Sequence, residues 1–235
     1  KANVVSIPRD TLINVSWNIK KINAAYAVGG IDQLKSELKK LLGFSIDYYI
    51  LVDKEAVVQL VNAIDGVDFY VPVDMYYSDP LQDLYISIPK GQQHLSGEDA
   101  YKVMRFRASY VDGDIGRINT QQQLLMALAE QTFTLSNLTK VDEFVSIFNE
   151  YVLTDLTMGE IAWFAQNAMS LSSENIQFMT LPGNYNDTVK GLSYVTVYID
   201  ELLDMVNTYL NPYDTAVTAE NLDVVTRDAN GNLYA

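Results

Sequence analysis

A concentration of basic and amide side chains lies between Arg105 and Gln123, in the run R-F-R-A-S-Y-V-D-G-D-I-G-R-I-N-T-Q-Q-Q. Arginine carries a planar, permanently charged fork of donors that matches phosphate oxygens. Arg105 and Arg107 alternate, so an extended segment would place both side chains on one side of the chain. Arg117 is predicted to open a helix, and a helix N-terminus favours anions. The three arginines therefore predict a site for a phosphate or pyrophosphate.

Two more residues of this run are candidates for the same site. Asp114 precedes the predicted helix, where it could cap the helix, orient the arginines or accept a proton from an attacking hydroxyl. Gln121 lies one turn beyond Arg117 on the same helix face, so its amide could donate to a phosphate oxygen. Asp112 is predicted to be a turn residue.

Two cations near the start of the chain complete the candidate set. Arg9 follows Pro8 at the end of a predicted strand, and the proline fixes the turn so that the guanidinium is aimed. Lys21 begins the otherwise apolar segment K-I-N-A-A-Y. Its ammonium could bind phosphate, or it could extend to solvent along its aliphatic stem.

Composition limits the classes of function. The 235 residues include 16 basic and 30 acidic side chains, a formal charge of −14, which argues against general nucleic-acid binding. The absence of cysteine excludes disulfide scaffolds, thiolate zinc sites and cysteine nucleophiles. No run of about 18 apolar residues is present, so no membrane span is predicted. The chain opens at Lys1 on a strand-like run without a methionine, so we expect a lost upstream segment to have held an anchor.

Apolar periodicity predicts an alternation of strands and helices. The predicted strands are 4–7, 11–17, 46–52, 67–71, 85–88 and 175–181. The predicted helices are 31–42, 54–64, one capped by Ser96 with Asp99, 117–133, 141–151, 158–170 and 198–210. Residues 20–26 are predicted to connect elements, and 76–91 to form a loop around the short strand. This order predicts right-handed crossovers and an α/β sandwich, with residues 213–235 as a polar C-terminal tail.

Four segments in the same order resemble motifs of the LytR–CpsA–Psr family of bacterial cell-envelope enzymes. They are S-I-P-R-D-T at residues 6–11, K-I-N-A-A-Y at 21–26 with the following G-G, H-L-S-G-E-D-A at 94–100 with R-F-R, and D-x-x-R-x-x-x-Q at 114–121. The resemblance covers residues 1–212, which we predict to be one catalytic domain. It implies a three-layer α/β/α sandwich with a central mixed sheet.

The resemblance also implies a function. Members of the family transfer glycopolymers from a polyprenyl-pyrophosphate carrier to peptidoglycan, with magnesium, at the outer face of the membrane that holds their single anchor. For this chain it implies a phosphotransferase of teichoic acid or of a capsular or secondary wall polysaccharide. Phosphate would be bound by Arg9, Lys21, Arg105, Arg107, Arg117 and Gln121. Asp114 and Arg107 would act in catalysis.

Two departures from the family pattern are visible. The magnesium-binding aspartate of an R-S-D-T-like segment is expected upstream of Lys1, so no metal ligand is predicted within this chain and the activity of the fragment itself is left open. Thr120 stands where the family often has a further arginine before the glutamines.

Three other functions remain open at this point. A polyprenyl-pyrophosphate pyrophosphatase would use the same pocket with water as the acceptor. A non-catalytic polyprenyl-lipid binding module would need only the phosphate site. Transcriptional regulation, an older label for the family, is disfavoured by the charge of −14 and by the lack of a basic helix.

Overall fold

The computed structural model describes residues 1–111, 113–132, 140–168, 171, 173–228 and 230–234. The helices are α1 (Ile22–Leu42), α2 (Lys54–Ala63), α3 (Gly97–Arg105), α4 (Asp114–Thr132), α5 (Val141–Tyr151), α6 (Met158–Ala168) and α7 (Ile199–Met205). The strands are β1 (Ala2–Ser6), β2 (Ile50–Val52), β3 (Val67–Val71), β4 (Met75–Asp79), β5 (Leu84–Ile88), β6 (Gly91–Leu95), β7 (Val152–Thr154), β8 (Ile176–Thr180), β9 (Gly183–Val189), β10 (Leu192–Val197), β11 (Thr226–Arg227) and β12 (Leu233–Tyr234). Helices and strands are intermixed along the chain, so the predicted α/β class is confirmed.

The described residues divide into two compact units. Unit 1 combines residues 1–47 with 176–235, and unit 2 is residues 48–175. In unit 1, β1 pairs in parallel with β8, whereas β9–β10 and β11–β12 are antiparallel pairs. In unit 2 the pairs β2–β7, β3–β6 and β4–β5 are all antiparallel. Parallel and antiparallel pairs thus both occur among the described strands, each pair as a two-stranded sheet.

Helix α1 is longer than its apolar pattern predicted. The helix begins at Ile22, within the segment predicted to be a connection, and continues to Leu42. Gly29 and Gly30 are non-helical inside it, and Gly30 has φ 66° and ψ −153°. These glycines form a kink between two helical segments rather than a helix start, because only glycine adopts such backbone angles without strain. The predicted stop at Gly43 is confirmed, with φ 81° and its N–H donating to the Lys39 carbonyl.

The segment predicted as the strand 11–17 forms only isolated bridges. Thr11 bridges Val195, Leu12 bridges Lys21, and Ile13 bridges Val224. These three bridges fasten the start of α1 and the end of unit 1 to one short stretch of backbone.

In unit 2 the segment 76–91 is a hairpin rather than a loop. Strands β4 and β5 pair from Met75↔Ile88 to Asp79↔Leu84. Strand β6 was also missed, because its sequence G-Q-Q-H-L has a single large apolar residue, Leu95, which is buried. The core of unit 2 is formed by buried residues of these strands and of α2, α3 and α4, among them Val61, Phe69, Met75, Val103, Phe106 and Leu124.

Residues 213–228 and 230–234 belong to unit 1, although they were predicted to be a polar tail. Val217 and Val224 are 6% and 4% exposed and join the apolar core of this unit. Arg227 forms a two-point ion pair with Asp187, with Nε 2.6 Å from Oδ2 and Nη2 2.8 Å from Oδ1. Two buried valines and one ion pair leave no periodic signal in the sequence. The domain boundary at residue 212 stays a prediction.

Across the part of the chain that the structure describes, no helix has the length and hydropathy needed to cross a bilayer.

Candidate phosphate-binding site

A tight turn positions Arg9. Thr11 donates its backbone N–H and its hydroxyl to the Pro8 carbonyl, at 3.0 and 2.7 Å. The Arg9 carbonyl accepts from the backbone N–H of Asn23, at 3.2 Å, so the turn also holds the first turn of α1. The Arg9 side chain is 48% exposed. The backbone of Arg9 is therefore fixed while its guanidinium stays accessible.

Asp10 brings Arg9 and Lys21 together. Its Oδ1 lies 3.3 Å from Arg9 Nε, and its Oδ2 lies 2.9 Å from Lys21 Nζ. The Lys21 ammonium also lies 5.4 Å from the centre of the Tyr194 ring, a cation–π contact. Lys21 therefore does not simply extend into solvent. Two cations share one carboxylate, which leaves this cluster with a net positive charge.

Arg105 is the last residue of α3 and lines a cavity of about 410 Å³. Its guanidinium carbon lies 5.8 Å from the centre of the Tyr101 ring, one helical turn earlier. Lys54 and Lys102 line the same cavity, together with Asp83 and Glu98. Lys54 pairs with Glu98 at 2.9 Å. Arg105 therefore lines a cavity that contains both basic and acidic side chains.

The geometry between Arg105 and Arg107 differs from the extended segment that the sequence predicted. Arg105 is still helical, and only Phe106, which ends α3 with φ −62° and ψ 135°, is extended. Phe106 is 1% exposed and its ring meets Tyr110 edge to face at 5.8 Å. Arg107, next along the chain, is exposed. Burial of Phe106 thus anchors the link between the two arginines in the core of unit 2.

Arg117 is nearly buried, with only 7% of its surface exposed. Helix α4 starts at Asp114, three residues before its predicted start, so Arg117 lies inside its first turn and Asp114 is its first residue. Asp114 Oδ1 lies 3.3 Å from Arg117 Nη1. Asp114 thus orients an arginine, one of the roles expected for it. Asp112 lies outside the described residues.

The Nε of Arg117 is an unpaired buried donor. It is covered and has no hydrogen-bond acceptor among the described residues. Burial raises the pKa of Tyr110, which keeps this phenol neutral. An unsatisfied buried donor costs about 1–3 kcal/mol, so a native structure holds few of them and each one calls for a physical reason.

Gln121 ties α4 to α3. Its Nε2 donates to the Met104 carbonyl at 2.8 Å, which satisfies a carbonyl in the last turn of α3. An amide nitrogen carries two hydrogens, so this bond leaves one for another acceptor. Gln121 therefore has a structural role beside the phosphate contact predicted for it.

The candidate residues are divided between the two units. Arg9 and Lys21 belong to unit 1, and Arg105, Arg107, Asp114, Arg117 and Gln121 belong to unit 2. The predicted convergence of Arg9 with the other arginines on a single pocket stays a prediction.

Sequence reasoning missed three neighbours of these groups. Tyr194 lies under Lys21, and Lys54 and Lys102 share the cavity of Arg105. Lys102 had a readable signal, because it lies three residues before Arg105 on the same helix face. Tyr194 and Lys54 are placed by tertiary packing and had none.

The described residues alone do not make a metal site. Within these ranges no three acidic or histidine side chains are close enough to hold a metal ion. Asp10, which contacts the candidate phosphate ligands Arg9 and Lys21, is held by these two cations. Magnesium, however, is commonly held by one or two carboxylates together with substrate phosphates.

Known proteins are similar to this chain in both sequence and fold. The chain is 32% identical over 186 residues to the polyisoprenyl-teichoic acid–peptidoglycan teichoic acid transferase TagV of Bacillus subtilis (strain 168), covering 77% of this chain and 48% of TagV. It is 32% identical over 205 residues to TagU of Bacillus cereus, a transferase of the same description, covering 86% of this chain and 65% of TagU. The match thus spans 48% of the length of TagV and 65% of the length of TagU.

The crystal structure of B. subtilis TagV has the same fold, with a TM-score of 0.72 and 29% identity over 87% of this chain and 80% of that one. The model of the LytR_cpsA_psr family matches residues 1–211. The chain therefore has the α/β fold of LytR–CpsA–Psr domains, and it belongs to the LytR–CpsA–Psr family.

Proposed function

We propose that this protein is a phosphotransferase that moves a glycopolymer from a polyprenyl-pyrophosphate carrier to peptidoglycan. The names of TagV and TagU support this reaction class, since both are teichoic acid transferases that use a polyisoprenyl donor and a peptidoglycan acceptor. Teichoic acid is accordingly the first candidate for the polymer. Capsular and secondary wall polysaccharides stay open, because the donor's reacting group would be the same in each.

The observation that carries the proposal is the buried Arg117 with its unpaired Nε. A permanently charged side chain is rarely buried unless it is paired and hydrogen-bonded. Asp114 offers one contact of 3.3 Å, which is long for a charge-assisted hydrogen bond. An incoming phosphate would supply the missing acceptor oxygens and a stronger counter-charge. Arg117 is therefore built to bind an anion more strongly than Asp114 alone provides.

The proposed chemistry is a phosphoryl transfer. A hydroxyl of the acceptor sugar attacks the phosphorus nearest to the donor glycan, the bridging P–O bond breaks, and polyprenyl phosphate leaves. The hydroxyl proton passes to a base, for which Asp114 is the candidate because its side chain is 37% exposed. Arg9, Lys21, Arg105 and Arg107 would offset the charge on the transferring group and on the leaving phosphate. Electrostatic stabilisation of this kind is the main contribution of protein to phosphoryl transfer.

Magnesium and a membrane location belong to the same proposal. We propose that magnesium would be held jointly by phosphate oxygens of the donor and by the aspartate expected upstream of Lys1, because this ion is commonly bound by one or two carboxylates together with substrate phosphates. The ion would supply counter-charge to the phosphate oxygens. We propose a location at the outer face of the membrane, because a donor carried on a lipid would be met at the membrane surface and peptidoglycan lies outside it.

Binding of geranyl pyrophosphate, a soluble isoprenyl pyrophosphate, tests the phosphate site. Calorimetry should detect binding to the wild type, further tightened by magnesium, and at least tenfold weaker binding to Arg117→Gln. Lys39→Gln, which removes an exposed cation at the end of α1, should bind like the wild type. Equal affinity in Arg117→Gln and the wild type would remove Arg117 from the site. Magnesium binding without the pyrophosphate would contradict the proposed joint binding of the metal.

A further inference from the structure

The Lys21 ammonium lies against a buried aromatic ring. Tyr194, in β10, is only 3% exposed, and the centre of its ring lies 5.4 Å from Lys21 Nζ. A cation within about 6 Å of a ring centre is attracted by the negative face of the ring, and the attraction grows when the cation is withdrawn from water. The Lys21 side chain is 19% exposed. The ring therefore stabilises the charge of a candidate phosphate ligand.

Backbone hydrogen bonds fix the ring and the ammonium relative to each other. Val195, the neighbour of Tyr194 in the chain, donates its N–H to the Asp10 carbonyl at 3.0 Å and accepts from the Leu12 N–H at 2.8 Å. Leu12 in turn bridges to Lys21. The segment that carries the ring is thus bonded directly to the segment that carries Asp10, and through Leu12 to Lys21.

The charge of this cluster explains what a ring offers that an acid would not. Arg9 and Lys21 share the carboxylate of Asp10, at 3.3 and 2.9 Å, so two positive charges face one negative charge. A second carboxylate beside Lys21 would cancel the remaining positive charge and repel a phosphate. The face of Tyr194 attracts the ammonium without adding a net charge. The cluster therefore keeps a positive charge for an anionic ligand.

Restraint of the lysine before binding favours a tight site. Lysine has a flexible stem of four carbons, and the ordering of such a side chain upon binding weakens affinity. Asp10 and Tyr194 both contact the ammonium, so its position is set before a ligand arrives. A phosphate would meet an ammonium that is already in place.

We propose that Tyr194 is a positioning residue for the donor phosphate. Its ring holds the Lys21 ammonium beside Arg9 and leaves the cluster its net positive charge. Tyr194 acts through Lys21 and is assigned no contact with the substrate. The identity of the anion rests on the proposed function, whereas the coupling between ring and ammonium can be measured without any transfer.

A series of fluorinated rings at position 194 tests this role. Phenylalanine and its mono-, di- and trifluorinated forms keep the shape of the ring, while each fluorine removes negative charge from its face. Calorimetry with geranyl pyrophosphate should show Tyr194→Phe within about twofold of the wild type, and a stepwise loss of affinity that reaches about three- to tenfold with three fluorines. The same affinity across the whole series would overturn the proposal.

The same series without the ammonium separates attraction from packing. Lys21→Met keeps an unbranched stem but removes the charge, and it should bind geranyl pyrophosphate about tenfold more weakly than the wild type. In this background the fluorines should change the affinity by less than about twofold, since no cation faces the ring. An equal effect of fluorine in both backgrounds, or wild-type affinity of Lys21→Met, would overturn the proposal. Trifluorophenylalanine in place of Tyr70, an exposed tyrosine in β3 of unit 2, is the matched control and should leave the affinity unchanged.

NMR of the free protein and a transfer assay separate this inference from the proposed function. Because a ring shields protons above its face, the Cε protons of Lys21 should resonate upfield and should shift downfield in Tyr194→Leu. Unchanged resonances would refute the positioning role, whether or not the wild type binds pyrophosphate. Fluorine-dependent binding by a protein without transfer activity would refute the reaction but support the role of Tyr194. Active transfer with no effect of fluorine on binding would refute that role alone.

Discussion

Replacement of Asp187 by asparagine is expected to loosen the C-terminal hairpin formed by β11 and β12. Asp187 lies in β9 and its side chain is 9% exposed. It receives two bonds from Arg227, one from the Thr196 hydroxyl at 2.8 Å and one from the Thr188 backbone N–H at 2.7 Å. Arg227 also donates to the Gly231 carbonyl, so the ion pair fastens the turn between β11 and β12.

The size of the effect follows from the pKa of Asp187. The Arg227 guanidinium lowers this pKa from 3.8 to about 2, in spite of the opposing effect of burial. One pKa unit corresponds to about 1.4 kcal/mol, so the folded protein favours the carboxylate by about 2 kcal/mol. Asparagine keeps the shape but removes the charge. We therefore expect Asp187→Asn to lower the free energy of unfolding of unit 1 by about 2 kcal/mol at neutral pH.

The pH dependence has a definite sign. Because the folded pKa is below the unfolded one, the stabilisation is complete above about pH 5 and is lost as the pH falls from about 4 through 2. The difference in stability between wild type and Asp187→Asn should accordingly be constant from pH 5 to 8. It should shrink steadily at lower pH, where the wild-type carboxylate also becomes protonated.

Urea unfolding followed by tryptophan fluorescence can measure this difference. Trp17 lies in unit 1 and Trp163 in unit 2, so a Trp163→Phe background makes Trp17 the reporter of the unit concerned. Asp214→Asn, the same charge change at an exposed residue, is the control and should have no measurable effect. A loss below about 0.5 kcal/mol at pH 7, or a loss that persists unchanged at pH 2.5, would refute the reasoning.

Three further predictions concern unit 2. Arg107→Ala should lower the rate of transfer by about 100- to 1,000-fold, while circular dichroism shows an intact fold. Arg107→Lys should recover only part of this rate, since an ammonium makes no planar two-point contact. Near-normal transfer by Arg107→Ala would remove Arg107 from the site. The hydrogen bond to Asp68 raises the pKa of His94, so the stabilisation by this histidine is present at low pH and is lost as the pH rises. The melting temperature of His94→Gln should therefore fall further below that of the wild type at pH 5.5 than at pH 9. A difference in melting temperature that does not change with pH would contradict this. Gly97→Ala places a Cβ 2.2 Å from the Val58 carbonyl oxygen, where α3 packs on α2. The free energy of unfolding in urea should therefore fall by about 1–3 kcal/mol. Wild-type stability of this variant would show that the two helix backbones can separate.

The sequence predicted those helix ends and strands that depend on residues close together in the chain. Ser96 caps α3 with the Asp99 N–H, as its spacing indicated, and Gly43 ends α1 in the left-handed conformation. The strand β3 follows its alternating pattern, with Val67, Phe69 and Val71 buried. In each case the signal and the structure involve the same few residues.

Elements defined by distant partners were not predictable in the same way. Strand β6 has little apolar pattern of its own and is placed by pairing with β3. Residues 213–234 read as polar, yet Val217 and Val224 are buried and Arg227 pairs with a residue 40 positions away. For the candidate site, the motifs indicated which cations to consider. Only the structure showed that Asp10 joins Arg9 to Lys21, and that Arg117 is buried with an unpaired donor.

The identity of the phosphorus-containing product tests the proposed transfer most directly. The protein would be incubated with magnesium, a short-chain polyprenyl-pyrophosphate-linked glycan and a soluble peptidoglycan fragment in ¹⁸O-labelled water, and the products would be analysed by mass spectrometry. The account predicts that the fragment gains the mass of the glycan phosphate, without ¹⁸O, while polyprenyl monophosphate is released in equal amount. Free glycan phosphate carrying ¹⁸O, with the fragment unchanged, would contradict transfer and identify a pyrophosphatase instead.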